Sequence, residues 1–192
     1  MSVAFLERAG RDAVRFDGCV LSVSRGLCHA SLVASDTRTG HTIAHGQSSF
    51  LMGVYAGGLA GAIQDWPPHT VGTLADARSY DEEIGTRSAD GVCRLPFHPN
   101  LVGSRNPDML HGGAIAAGLI ASARSDPELP DGQQLSSLSI EFLKGGLERE
   151  TIFTSSAVHS GRSASAFEIS AGQEDDRRIA VGLARFTDFT GE

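Results

Sequence analysis

Asn106-Pro107-Asp108-Met109-Leu110-His111-Gly112-Gly113, running into Ala114-Ile115-Ala116-Ala117-Gly118-Leu119-Ile120-Ala121-Ser122-Ala123, decides the architecture of this chain. From Gly112 to Ala123 no residue is charged and the apolar character goes all round, so the pattern predicts a core helix enclosed by the rest of its domain. Its entry is polar and turn-forming, and closes on a His and two glycines. Bare backbone N–H groups at the positive end of a helix are open to close approach by a carbonyl or an anion, which makes this entry a candidate oxyanion site.

Outward from the helix, strand patterns lie on both sides. Residues 4 to 52 read as an antiparallel meander: Val14, Phe16, Cys19, Leu21 and Val23 alternate with polar or small residues, and Ser24-Arg25-Gly26 breaks the run. Cys28 to Ala34 resumes it, Asp36 to Gly40 turns, and Thr42 to Met52 forms the last strand. Residues 55 to 73, with Gly57-Gly58, Trp66-Pro67-Pro68 and Gly72, read as a connector, because adjacent prolines fit neither a helix interior nor a central strand. Leu74 to Glu83 suits a short helix and Gly91 to Phe97 a strand. Beyond the core helix, Asp126-Pro127 and Pro130-Asp131-Gly132 mark a loop, and strand patterning returns from Leu135 to Phe189.

The two strand regions resemble each other. Ile43-Ala44-His45-Gly46-Gln47-Ser48-Ser49-Phe50 and Ile179-Ala180-Val181-Gly182-Leu183-Ala184-Arg185-Phe186 share Ile-Ala-x-Gly-x-x-x-Phe. Ser24-Arg25-Gly26 stands opposite Ser160-Gly161-Arg162 at the same offset, and Phe5-Leu6-Glu7 opposite Phe142-Leu143-Lys144 with one gap. Three matches in order predict an internal duplication whose first copy lacks the helix. The expected organisation is a helix-less strand block over residues 1–54, a linker over 55–73 and a complete module over 74–192.

Composition excludes several classes. A net charge of −7, with Arg177-Arg178 the only adjacent basic pair, argues against a nucleic-acid surface. The run from Val54 to Ile63 is too short to span a bilayer, and Glu7 and Asp12 interrupt any signal peptide, so the expectation is a cytoplasmic protein without a membrane partner. Cys19, Cys28 and Cys93 form no CxxC and read as free buried thiols. His41 and His45, four apart on a strand, do not converge as they would on a helix, so no metal site is expected.

The order of these pieces resembles the hotdog-fold acyl-CoA thioesterases. The residues that carry the resemblance are Gly91 to Phe97, His-Gly-Gly and its helix over 106–123, Glu141-Phe142-Leu143, His159 to Arg162, and Ile179 to Phe186. It implies an α+β hotdog fold, a curved antiparallel sheet wrapped round one long central helix, with residues 4–52 as a partial second hotdog module of double-hotdog type. It also implies an acyl-CoA or related thioester substrate and no cofactor. In such a protein Gly113 would present its N–H to the thioester carbonyl, where preorganised donors stabilise developing negative charge. Gly112 would allow the close approach; equally, the two glycines could simply permit tight packing. His111 matches an orienting histidine or a satisfied structural one. Asn106 could donate to the bound carbonyl, or serve the turn. Arg162, with Gly161, matches a hairpin residue near the CoA phosphates, or a solvated arginine.

Hydrolysis also needs a group to activate water. The position where the family places a carboxylate, two turns into the helix, is Ile120 here. Asp108 is the nearest substitute, although an Asp in a Pro-containing turn ordinarily caps backbone. Glu141 alternates against the apolar face of its strand and is expected at solvent or at a module interface. Gln47 and Ser48 lie where double-hotdog enzymes place a polar residue. The readings that follow are a thioester hydrolase, a non-catalytic acyl-CoA-binding or regulatory protein, and, lacking an Asp-and-His motif, the less favoured dehydratase. A strand block without its helix exposes an apolar face, which predicts a homodimer or higher homo-oligomer, or else a segment upstream of Met1 that carries the helix.

Overall fold

The computed structural model describes residues 1–7, 13–24, 27–51, 87–98, 101 and 110–189. The expected linker over 55–73 and the short helix over 74–83 lie outside the described residues. Four strands come first: β1 (Ser2–Phe5), β2 (Val14–Ser24), β3 (Leu27–Asp36) and β4 (Thr42–Leu51). Then follow β5 (Arg87–Ala89), β6 (Val92–Leu95), helix α1 (Gly112–Arg124), β7 (Gln134–Phe142), β8 (Thr151–Ser160), β9 (Ala164–Gln173) and β10 (Arg177–Thr187). The strands form one sheet in the order β2-β3-β4-β1-β7-β10-β9-β8-β6-β5, with antiparallel pairing between all these neighbours.

Alternation explains which face is covered. In β9, Ser165, Phe167, Ile169, Ala171 and Gln173 are buried while Glu168 is exposed, the period-two signature of a sheet with one face on a core. Phe153 from β8 and Phe186 from β10 join them; the Phe167 and Phe186 rings meet edge to face at 5.8 Å. Against this face α1 lays Ala114, Ile115, Gly118, Leu119, Ser122 and Ala123. Gly118 is there for contact: a Cβ would overlap the Phe153 ring.

The internal repeat is visible in the strand pairing. Phe5 pairs with Ala44 as Phe142 pairs with Ala180, and Val20 with Ala30 as Ala157 with Phe167. Both outer hairpins break register at the same place, between Val20 and Ser22 and between Ala157 and His159. At the seam, Ser2 pairs with Ser139, and these two serines occupy equivalent places, opposite Gln47 and Leu183 respectively. Strands β1–β4 and β7–β10 are thus related by an approximate two-fold through the β1–β7 seam.

Three expectations are sharpened or corrected. The strand expected over Gly91 to Phe97 is present but shorter, as β6, and β5 precedes it in a hairpin that turns at Asp90 and Gly91 with φ of 51° and 72°; two positive φ angles match the twist of a two-residue turn, which Asp-Gly favours. The helix is not enclosed all round, since Ala116, Ala117, Ile120 and Ala121 are only half-buried on the side away from the sheet. The three cysteines are free, but only Cys93 is buried and Cys19 is exposed, as is nearly all of β2.

Replacing Gly118 by Ala sets a helix-propensity gain of about 1 kcal/mol against overpacking of about 1–3 kcal/mol. Because the added methyl would overlap the ring itself, overpacking wins. Urea unfolding of Gly118→Ala should show a lower midpoint with an unchanged slope.

Candidate functional site

The mouth of α1 is held from three sides. In the loop after β7, the Leu110 N–H donates to Gly146 O at 2.9 Å, and the His111 N–H donates to Leu101 O at 2.7 Å. Gln173, buried at the end of β9, fixes that loop in turn: its Oε1 accepts from Leu147 N–H at 2.9 Å and its Nε2 donates to Leu147 O at 3.0 Å and to Thr151 Oγ1 at 3.0 Å. Gly146 packs against Leu110, and a side chain there would press on it.

His111 is the N-cap, extended at φ −64° and ψ 133°, and its Nδ1 accepts from the Gly113 N–H at 2.9 Å. The ring therefore does what Ser or Asp does at most helix starts, satisfying one of the orphan donors, and its Nδ1 carries no proton while it does so. Gly113, expected to face the substrate, has its N–H on His111. The Gly112 N–H has no hydrogen-bond partner among the described residues. No acidic residue stands in the first turn of the helix, whose N-terminus carries partial positive charge. The Phe142 ring lies 3.5 Å from the place a Gly112 Cβ would take, so Gly112 keeps the space beside the ring clear.

This mouth opens on a cavity of about 910 Å³ between the two strand blocks. His111 to Gly113 and Ile140 to Leu143 form one side, and β2, β3 and β4 the other, with Gln47 and Ser48 on the wall. Ser48 shares the face of Gly46 and Phe50, which corresponds through the seam to the face α1 covers; Gln47 alternates with them at the lip. Phe142 and Phe50, which belong to the sequence motifs but were not among the expected site residues, are wall residues. The repeat held the clue for Phe50, whose counterpart Phe186 lies under the helix.

The other expected residues are distributed. Asn106 and Asp108 lie outside the described residues. Glu141 borders the cavity but alternates with buried Ile140, which puts its side chain on the face opposite α1. Ile120 packs half-buried against the core, so α1 offers no carboxylate there. Arg162 and Gly161 are not brought to the mouth: Gln133 Nε2 donates to Gly161 O at 2.7 Å and to Arg162 O at 3.2 Å, and Ser160 Oγ donates to Glu128 O at 2.6 Å. Those partners follow the C-terminal end of α1. The hairpin on the mouth side belongs to the other block, where Cys28 of β3 pairs with Phe50. Among the described residues no cluster of three His, Cys, Asp or Glu could hold a metal ion, and no helix is long and apolar enough to cross a membrane.

Residues 102–187 match the family described as acyl-CoA thioesterase N-terminal domain. Among solved structures, BH2602 from Bacillus halodurans, solved with CoA, is 28% identical with a TM-score of 0.50, over 58% of this chain and 76% of that one. AziG from S. sahachiroi is 19% identical with a TM-score of 0.51, over 58% and 96%. A Mycobacterium tuberculosis protein is 19% identical with a TM-score of 0.51, over 59% and 98%. The last two show likeness of fold alone. No curated protein matches the chain.

His111→Ala removes the cap acceptor and should lower stability by about 1 kcal/mol, whereas His111→Asn, whose side-chain oxygen can take the same bond, should recover most of it in a urea titration.

Proposed function

We propose that this chain, whose residues 102–187 belong to the hotdog thioesterase superfamily, binds a thioester of CoA or a related acyl carrier at the N-terminus of α1 and hydrolyses it. The observation that carries the reading is the Gly112 N–H, without a partner among the described residues, at a helix N-terminus with no acidic residue in its first turn, beside a cavity lined by both strand blocks. BH2602, similar in sequence as well as in fold, was solved with CoA, which supports the substrate class.

In this mechanism the thioester carbonyl oxygen accepts from the Gly112 N–H, and from Gly113 N–H once the His111 ring turns away. Negative charge grows on that oxygen as water attacks, and donors fixed by the helix stabilise it without reorganising. Ser48, on the same face as α1, holds the attacking water with Gln47 at the lip. Asp108 is the base we assign, with Asn106 as a second donor to the carbonyl. The attack forms the C–O bond of the acid, breaks the C–S bond, and returns a proton to the CoA thiolate. In this reading residues 1–54 are a partial second hotdog module, 55–73 a linker and 74–192 a complete module. The equivalent strand registers favour that division.

A second reading has its own observation. Ile120 stands where the family places its carboxylate, so a pocket that binds acyl-CoA without hydrolysing it, as a regulatory protein would, is the alternative.

An acyl-CoA panel with thiol detection separates the two. Release of free CoA is expected, and Ser48→Ala should lower kcat on the order of 10²-fold with little change in KM. Tight binding of CoA esters with no free thiol appearing would end the hydrolase reading in favour of the second. Gly112→Val should weaken binding of every CoA ester while leaving the urea midpoint nearly unmoved, because its side chain would fill the approach beside Phe142 rather than the core.

A further inference from the structure

The two strand blocks carry matching faces, but among the described residues only one packs against a helix. Under α1, Phe153, Ile169 and Phe186 are 0%, 2% and 0% exposed; their counterparts Phe16, Leu32 and Phe50 are 65%, 44% and 54% exposed. The bare face is also hollowed. Ala30 stands where the other block has Phe167, and Gly18 where it has Ser155. Gly18, Leu32 and Gly46 form one row across the strands, and Val20, Ala30 and Ser48 the next. Gly18, Ala30, Gly46 and Ser48 thus leave a furrow beside the exposed Val20 and Leu32, with Phe16 and Phe50 flanking it.

Most of this furrow is not a separate patch. Gly18, Val20, Ala30, Leu32, Gly46 and Phe50 line the same cavity that ends at His111-Gly112-Gly113. A ligand that fits has a polar, carbonyl-bearing head for the helix N-terminus and an unbranched apolar tail for the furrow. An exposed apolar surface that runs into a binding mouth is the mark of a ligand groove. A flat sheet from a second copy would bridge Phe16 and Phe50 and leave the furrow between them empty, which close packing disfavours.

We infer that the uncovered face of β2, β3 and β4 is the acyl-chain subsite of this protein, taking the tail of a long-chain acyl thioester. The inference rests on the thioester reading of the mouth and adds the substrate class. The furrow is a binding surface; only Ser48, at its mouth end, also belongs to the water site of the proposed reaction.

The test is calorimetric titration with non-hydrolysable S-alkyl-CoA thioethers from butyl to hexadecyl. Burial of about 0.8 kcal/mol per methylene predicts on the order of tenfold tighter binding for each two carbons added, until the furrow is full. Gly18→Leu has room at its Cβ, where the nearest side-chain atom is Leu32 Cδ1 at 3.8 Å, so the variant should fold. It should weaken hexadecyl-CoA on the order of a hundredfold and leave butyl-CoA within about twofold. Equal affinity along the series, or equal weakening of both ligands by Gly18→Leu, overturns the subsite and leaves the thioester mouth standing. A dimer in light scattering that hexadecyl-CoA neither dissociates nor binds more tightly than butyl-CoA gives the face to a second copy. Failure of every thioether to bind overturns the mouth and the subsite together.

Discussion

The short pairing of β1 with β7 is the contact through which the sheet carries a site. Ser2 lies between Gln47 and Ser139, and Met1 and Ile140 each donate to the other's carbonyl at 2.8 Å. Because the pairing is antiparallel about two equivalent serines, it turns the first block end for end against the second. The far half of β4, from Gln47 to Phe50, therefore arrives beside the end of β7 where α1 begins. A slip of one residue in this seam would move every β1 side chain to the other face and set Ser48 against a different part of β7.

What the seam brings together, the loop after β7 makes usable. A helix N-terminus by itself is a common feature, with several donors that normally find water or a cap. Here Gln173 fixes residues 147 to 151, Gly146 holds Leu110, and Leu110 and Leu101 leave His111 no choice of backbone position. The His111 ring then takes Gly113, and Gly112 is left as the donor facing the cavity. A mouth so constrained has its donor aimed before any ligand arrives, which is the condition under which a backbone N–H stabilises growing charge.

Much of this was legible in residue order. The uncharged run from Gly112 to Ala123 marked the helix to within one residue of its end at Arg124. The alternation of Leu138 and Ile140 with Ser139 and Glu141 identified a strand with one wet face, and the shared Ile-Ala-x-Gly-x-x-x-Phe pattern marked two strands that prove to be equivalently paired. What stays hidden has physical causes. Asp90-Gly91 is a two-residue turn that adds β5 ahead of the strand expected from Gly91. His111, read as an orienting or a satisfied structural histidine, is satisfied as a cap, a place histidine does not ordinarily take at helix starts. Arg162, read as a residue near CoA phosphates or as a solvated arginine, is exposed on its hairpin; which hairpin reaches the mouth depends on strand order across more than a hundred residues, and no local pattern carries that.

The approximate two-fold also shows why the chemistry concentrates at one place. Carried through the seam, Gln47, Ser48 and Ser49 correspond to Leu183, Ala184 and Arg185. Ala184 is buried beneath the helix in the core, where a hydroxyl would need a partner, while Ser48 stands at a cavity wall where water can reach it. Polar residues can thus occupy these β4 positions because no helix among the described residues packs on them. The same bare face that lets Ser48 meet water leaves Leu32 and Phe50 without cover, so polarity at the mouth and apolarity in the furrow have one origin. In the proposed reading, a pocket for a carbonyl oxygen at one end and a hydrocarbon surface at the other both follow from a helix packing on one of two matched faces and, among the described residues, not on the other.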